Sequence, residues 1–159
     1  MADVFTASGA TLSIAPAITT NPANAAAWAA LTWTAVGMVE SLGEFGDAAG
    51  TVTGATLGDG RMRKGKSARD AGDFTATVFE DSTDTGQVAL IAAEATNNNF
   101  PFKVTLPNKL APAGADGVMY FKGLVTSKRL NVGGNDNLVR RTFTIAINSA
   151  ITEVAPTAS

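Results

Sequence analysis

The C-terminal third of the chain alternates between apolar and polar residues, and this alternation restricts the fold more than any other feature. In residues 138–148, apolar side chains at every second position face polar ones on the other side. Residues 118–132 alternate in the same way, and the glycine- and asparagine-rich run 133–137 separates the two segments. A period of two is that of a strand with one buried face, so the sequence predicts a long β-hairpin. The phase shifts near Ser127, which predicts a bulge.

Shorter segments with the same period indicate further strands. We expect them at 10–18, 36–42, 51–57, 72–80 and 102–106. Pro101 and Pro107 bracket the last of these segments. Because proline cannot donate a backbone hydrogen bond, we expect that strand at an edge of its sheet.

One amphipathic helix is predicted over residues 84–97. Asp84 can cap its N-terminus, and Gln87 follows three residues later, as in a capping box. The apolar stripe of this helix would be Val88, Ile91, Ala92 and Ala95. A shorter Ala-rich helix is expected within 23–31. Many strands around one main helix predict a single mainly β (α+β) domain over 1–159, with an N-terminal segment, 1–35, and a small-residue C-terminal tail, 149–159.

Composition narrows the possible functions. The chain has no cysteine and no histidine, so the common thiolate and imidazole mechanisms and most zinc sites are closed to it. Carboxylate, lysine and Ser–Lys chemistry stays formally open, but we expect no enzyme and no catalytic, cofactor-binding or metal site. Charged residues make up 16% of the chain, below the roughly 25% of an average protein. That fraction suits either a surface covered by copies of the chain or an ordinary β protein of low charge.

Net charge and the N-terminal sequence bear on location. The net charge of −2 gives no overall field that would attract nucleic acid. The first four residues, M-A-D-V, are neither basic nor strongly apolar, so we expect no secretory signal. No apolar run approaches the roughly 20 residues of a membrane helix. We therefore expect synthesis in the cytoplasm and no membrane partner.

Residues 60–67, G-R-M-R-K-G-K-S, match the P-loop pattern G-x-x-x-x-G-K-[ST]. A working P-loop lies between a buried strand and a helix whose N-terminus holds the phosphates. Here only residues 68–71 separate the motif from Gly72, where a strand is predicted. Four residues cannot form that helix, so we interpret the match as accidental and expect no nucleotide cofactor.

The same run belongs to a segment, 58–71, that we predict to be a long polar loop between two strands. It contains five of the twelve basic residues of the chain: Arg61, Arg63, Lys64, Lys66 and Arg69. Such a cluster suits a solvated loop, or phosphate binding, although no aromatic residues are interleaved for base stacking. It also suits docking onto an acidic surface of another copy. The acidic candidates for this contact are Glu40, Glu44, Asp47, Glu80, Asp81 and Asp84, and we name the first three as contact residues.

The order and local sequence of several segments resemble those of a known family. The stretches V-E-S-L-G-E-F-G (39–46), L-G-D-G-R-M-R-K (57–64), R-D-A-G-D-F (69–74) and D-T-G-Q-V-A-L (84–90) are similar to those of the tail tube proteins of siphophages and gene transfer agents. The resemblance covers about residues 35–148. It implies a β-sandwich or partial barrel flanked by one helix.

The resemblance also implies an assembly. Six subunits would form a ring whose inner strands join into a continuous β-barrel, and stacked rings would pass DNA through a virion tail. The 58–71 loop would reach the neighbouring ring. The implied partners are copies of the chain and the tape-measure, tail terminator and distal tail proteins. The alternatives are a type VI secretion tube protein or tail terminator of the same fold, and a carbohydrate-binding β-sandwich.

A conduit for DNA needs a polar wall that does not bind phosphates tightly. Threonine recurs on three of the predicted strands, and we expect these side chains to face the lumen: Thr51, Thr53, Thr75, Thr77, Thr142 and Thr144. The competing explanation is that threonine favours strands in general.

Overall fold

The structure is a computed structural model that describes residues 4–158, so the expectation for the first three residues lies outside the described part. In chain order its elements are β1 (Thr11–Ile14), α1 (Ala25–Ala29), β2 (Thr34–Val36), β3 (Val39–Ser41), β4 (Ala48–Ala55), β5 (Met62–Asp70), β6 (Asp73–Phe79), α2 (Thr85–Glu94), β7 (Phe100–Thr105), β8 (Val118–Asn131), β9 (Arg140–Ile147) and β10 (Thr152–Val154). Neither of these helices is long and apolar enough to cross a membrane.

Eight of these strands form one antiparallel sheet in the order β2-β1-β7-β8-β9-β6-β3, and β10 pairs with β8. The two outermost strands, β2 and β3, are consecutive in sequence and are joined by only Gly37 and Met38. Three residue steps span at most about 11 Å, so the sheet must curl until its two margins lie close together. β2 and β3 do not pair with each other in the described chain, so the barrel is partial, as predicted.

The core lies inside the curled sheet. Its largest fully buried side chains are Phe74, Phe102, Phe121, Phe143, Leu12, Leu90 and Ile145. The ring centroid of Phe121 lies 5.6 Å from that of Phe74 and 5.6 Å from that of Phe102. Full burial of one such side chain contributes about 1.5–3 kcal/mol. Outside this core, Trp28 of α1 stacks on Tyr120 at 5.9 Å, which fixes the N-terminal segment to the sheet.

Helix α2 confirms the predicted cap but not the predicted stripe. The Asp84 carboxylate accepts a hydrogen bond from the backbone N–H of Gln87 at 2.9 Å. The buried residues of the helix are Gly86, Gln87, Leu90 and Ala93, whereas Val88 is 50% exposed. The stripe prediction was wrong because it counted apolar residues only. A buried glutamine and a glycine in close contact with β2 decide which face packs inward.

Strand β7 is not an edge strand, so that prediction was also wrong. It lies between β1 and β8. The prolines are tolerated because they lie at or beyond the strand ends. The pairing with β1 stops at Phe102, opposite Ile14, and Pro107 follows the strand. Pro101 still takes part through its carbonyl oxygen, which accepts from the N–H of Ala15 at 3.1 Å.

Strands β8 and β9 confirm the predicted C-terminal hairpin, and the register shift between Val125 and Ser127 confirms the bulge. The first part of β8 pairs with β7 as far as Gly123, and the remainder pairs with β9. Beyond Gly123, the side of β8 that faces away from β9 has no partner strand in the described chain. The predicted tail, 149–159, contains the short strand β10, which pairs with β8.

Candidate assembly surfaces

The segment predicted as a polar loop, 58–71, is instead largely a strand of a projecting hairpin. β5 pairs with β4, and the two form a separate two-stranded sheet. All nine residues of β5 are exposed, and neither strand packs extensively against an element other than its partner. A strand with water on both faces carries no apolar alternation. The loop prediction was therefore wrong because β5 has no buried face, and its sequence lacks the apolar alternation by which a strand is recognised.

An isolated two-stranded ribbon is at best marginally stable in water. The hairpin leaves its large apolar side chains in solvent, with Val52 56%, Leu57 108% and Met62 54% exposed. No buried core residue of the chain lies between Ala48 and Asp70. Within its own subunit, the hairpin therefore has little apolar burial to hold it in one conformation.

The carboxylate of Asp59 supports the tip of the hairpin, in addition to a backbone hydrogen bond from the N–H of Gly60 to the carbonyl of Thr56 at 3.1 Å. It accepts from the hydroxyl of Thr56 at 2.9 Å and from the backbone N–H of Arg61 at 3.1 Å, and it pairs with the guanidinium of Arg63. These bonds, first of all the one from the Arg61 backbone, lower the pKa of Asp59 below its ordinary value. The tip turn is thus defined locally, although the two strands below it are not supported by the body.

An irregularity in β5 determines on which face of the hairpin its cationic side chains lie. Lys66 lies opposite Thr51, whereas Arg69 lies opposite Ala49, so three residue steps in β5 match two in β4. Residues directly opposite each other share a face. Lys64, Lys66 and Arg69 therefore lie on one face of the ribbon. Without the extra residue, strict alternation would turn Arg69 to the other face.

Most of the predicted contact cations have no acidic partner. Arg63 pairs with Asp59, but no salt bridge in residues 4–158 involves Arg61, Lys64, Lys66 or Arg69. The hairpin carries five basic and two acidic residues, and the rest of the chain carries seven basic and twelve acidic ones. A cationic hairpin thus projects from a body with an excess of acidic residues.

The predicted acidic residues lie at two different ends of the subunit. Glu40 is in β3, which pairs with the last part of β6, and its carboxylate binds Arg140 at 2.7 Å. Glu44 and Asp47 lie between β3 and β4, at the base of the hairpin.

Four of the six threonines predicted to face the lumen form a compact patch. They are direct cross-strand pairs of β6 and β9, Thr75 with Thr144 and Thr77 with Thr142. Their neighbours Phe74 and Phe143 point to the other face and are fully buried. The remaining two, Thr51 and Thr53, lie on the hairpin beside Lys66 and Lys64, so the six residues belong to two surfaces.

Besides the outer sides of the terminal strands β2 and β3, the sheet of the described chain has two unpaired stretches that the sequence did not predict. One is the side of β8 beyond Gly123, about 25 Å of strand at the usual rise per residue. The other is on β6, where β3 pairs only with Thr77 and Val78, so the first residues of β6 have no partner strand on that side within the described chain. Unpaired strand margins are templates for pairing with another chain.

The P-loop-like run lies in the hairpin tip and in β5, and β6 follows it. No helix N-terminus is therefore present next to it to hold phosphates. In the part of the chain that the structure describes, no group of three or more Asp, Glu, His or Cys side chains could hold a metal ion.

No protein-family model matches the sequence, and no curated protein matches it. Solved structures do match. A chain of the anti-feeding prophage (AFP) baseplate has a TM-score of 0.66 at 10% identity, with 98% of each chain covered. A chain from the tail of an empty GTA particle has a TM-score of 0.66 at 13% identity, covering 96% of this chain and 100% of the other. The SPP1 tail tube has a TM-score of 0.59 at 12% identity, covering 92% and 76%. At these identities the likeness is one of fold, and it extends over nearly the whole chain.

Proposed function

From the tail tube fold of this chain, we propose that it is a structural subunit that assembles with copies of itself into a tube and is not an enzyme. The observation that carries the proposal is the β4–β5 hairpin, which has no packing partner in its own subunit. A ribbon exposed on both faces is marginal alone, so an assembly that covers it explains why the chain contains it. More specifically, we propose the major tail tube subunit of a phage or gene transfer agent particle, located in the virion tail.

Lateral contacts in this proposal use the unpaired stretches of β8 and β6. The free side of β8 in one subunit would pair with the free side of β6 and β3 in its neighbour, because both margins offer unsatisfied backbone donors and acceptors. Repeating this contact closes a ring. The AFP and GTA structures were determined with six-fold symmetry, and we extend that number to this chain as a hexameric ring with one continuous inner barrel.

Axial contacts use the hairpin. Rings that stack head to tail bring the hairpin of one subunit to the far end of a subunit in the next ring. Arg61, Lys64 and Lys66 would then approach the acidic group around Glu40. Glu44 and Asp47, at the hairpin base, are better placed for a subunit in the same ring. Exposed ion pairs of this kind contribute about 0–1 kcal/mol each, so their main effect is on register and encounter rate.

The conduit wall would be the threonine patch of β6 and β9. Its threonine side chains are small, neutral and polar, and they share their face with Arg129 of β8, opposite Thr142, and with Arg140 of β9. Contacts from arginine to phosphate carry no sequence information, so DNA would pass without sequence-specific binding. The tape-measure, tail terminator and distal tail proteins are the further partners of this proposal, and no membrane partner is part of it.

Negative-stain electron microscopy and sedimentation of concentrated protein test the proposal. We expect rings and tubes whose amount rises with concentration. A matched variant joins Ala48 to Asp70, an opposed pair at the hairpin base, through an Asn-Gly turn. It lacks the hairpin and should form rings but no tubes. Protein that remains monomeric at every concentration would refute the proposal, and rings that never stack would indicate a terminator instead.

A further inference from the structure

The exposed apolar side chains of the chain are unevenly distributed. Twelve large apolar residues of the described part are exposed, and eight of them lie at two places. Three are on the β4–β5 hairpin: Val52, Leu57 and Met62. Five others, which we call the end patch, are Met38, Leu130, Val132, Leu138 and Val139. Clusters of exposed apolar residues on a soluble protein mark interaction sites.

The end patch lies where β6 and β8 end and β9 begins. The N–H of Phe79 donates to the carbonyl of Met38 at 2.9 Å, and the N–H of Glu80 donates to the carbonyl of Val139 at 2.9 Å. These two bonds hold Met38 and Val139 beside the end of β6. Leu130 lies near the end of β8, and Val132 directly follows that strand.

The hairpin leaves the sheet at the other end. β5 finishes at Asp70, and β6 starts at Asp73 opposite Ala146, near the end of β9. The hairpin and the end patch therefore lie at opposite ends of the same strands, separated by the length of β6, about 23 Å at the usual rise. Two complementary surfaces at opposite ends of one subunit give a head-to-tail contact that can repeat without limit.

We propose that the hairpin of one copy docks through Leu57 and Met62 onto the end patch of a second copy stacked on it head to tail. This proposal rests on the proposed function and adds the residues that make the axial contact. Both surfaces are apolar and solvent-exposed in the free subunit, and the hairpin is cationic while the body is acidic. Apolar burial supplies the affinity, because exposed ion pairs contribute little.

A second copy fits this surface better than an unrelated partner does. The end patch is flanked by Glu40 and Glu80, each paired with an arginine of β9, so it offers the hairpin an apolar centre with a polar rim. That is the usual arrangement of a protein interface. The docking also gives the hairpin the apolar covering that its own subunit does not provide.

Cysteine cross-linking tests the contact, because the chain has no native cysteine. In the double variant Leu57→Cys, Leu138→Cys, mild oxidation of assembled protein should give a ladder of disulfide-linked multimers that reductant abolishes. A disulfide forms only where the two Cα atoms come within about 7 Å. Mixing the two single variants should give one heterodimer band. The control pair is Leu57→Cys, Val88→Cys, since Val88 is 50% exposed on α2, and it should give no ladder.

A second measurement does not depend on disulfide geometry. Leu57→Ser should raise the concentration needed for tube formation by at least about fivefold, as expected of an interface anchor, and Val88→Ser should change it less than about twofold. Tubes that form normally with Leu57→Ser, together with no Leu57–Leu138 cross-link, would overturn this contact and leave the proposed function intact. Wild-type protein that never self-associates would overturn both.

Discussion

Replacing Gln87 by alanine should lower the free energy of unfolding by about 3–5 kcal/mol. Gln87 is 1% exposed, and both polar atoms of its side chain are hydrogen-bonded. Its carbonyl oxygen accepts from the backbone N–H of Asp81 at 3.0 Å, and its amide donates to the carbonyl oxygens of Gly37 and Phe79, both at 3.0 Å. One side chain thus joins the N-terminus of α2, the link between β2 and β3, and the end of β6.

The magnitude follows from these contacts. Each hydrogen bond contributes about 0.5–1.5 kcal/mol net to stability. Removing the side chain leaves the three partly buried backbone groups that it bonds without a replacement hydrogen-bond partner. Three bonds give about 3 kcal/mol, and the space left by truncation adds about 1 kcal/mol or more. Gln87→Met keeps most of the volume and removes the hydrogen bonds, so it should lose about 2–4 kcal/mol. The difference between the two variants isolates the packing contribution.

Urea denaturation followed by circular dichroism, at concentrations where the chain is monomeric, measures both losses. The slope with urea should stay constant, so that the midpoint reports stability. The neighbouring substitution Val88→Ala is the control, and at a half-exposed position it should change stability by about 0.5 kcal/mol or less. A loss below about 1 kcal/mol for Gln87→Met would refute the assignment of Gln87 as the link between these three elements.

Reversing Arg61, Arg63 and Lys64 to glutamate should weaken ring stacking and leave the circular dichroism spectrum unchanged, and unaltered tube length and yield would refute the docking role. The lowered pKa of Asp59 means that its support of the hairpin tip is complete above the ordinary value of 3.8 and is lost as the pH falls through its folded pKa. The Arg61 amide resonance should therefore titrate with a midpoint below 3.8, and a midpoint at or above it would contradict the hydrogen bonding. Gly86→Ala should cost more than about 2 kcal/mol despite a helix-propensity gain of about 1 kcal/mol, because the added β-carbon would overlap the β2 backbone; an unchanged melting temperature would disprove this.

Strands with one buried face were predictable from the sequence. In β6 the residues Phe74, Ala76 and Val78 are fully buried, and the intervening threonines are not. The same period located β8, β9 and the bulge between them. The predicted strand 36–42 was only partly right, because Met38 has a φ of 59°. That left-handed residue divides the segment into β2 and β3 and sends them to opposite margins of the sheet.

The hairpin could not be predicted from periodicity, because none of the residues of β5 is buried. Its sequence did contain a turn signal, Gly58-Asp59-Gly60, between two segments of similar length. Pairing the segments on either side of that turn would have identified it. The cationic cluster itself was evident from the sequence. Which face of the hairpin each cation occupies depends on the register of β5 against β4.

The unpaired margins and the end patch could not be predicted from the sequence, because they depend on which distant segments pair. Glu40 binds Arg140, which is 100 residues away, and Glu80 binds Arg141, 61 residues away. No local pattern indicates such partners. The threonine patch was partly accessible, since the period of two placed its members on one face of each strand. The adjacency of β6 and β9, which joins them into one surface, was not.

In the proposed assembly, the unsupported hairpin would have a kinetic consequence for polymerisation. Fixing a backbone costs about 1–2 kcal/mol per residue, and two free subunits that stack would offset the cost of ordering one hairpin with a single axial contact. A subunit that arrives at an existing tube end would gain lateral contacts as well. Initiation would then be slow and elongation fast, with a lag phase that preformed seeds abolish. Under such kinetics the number of seeds, rather than the supply of subunits, would set how many filaments a cell makes.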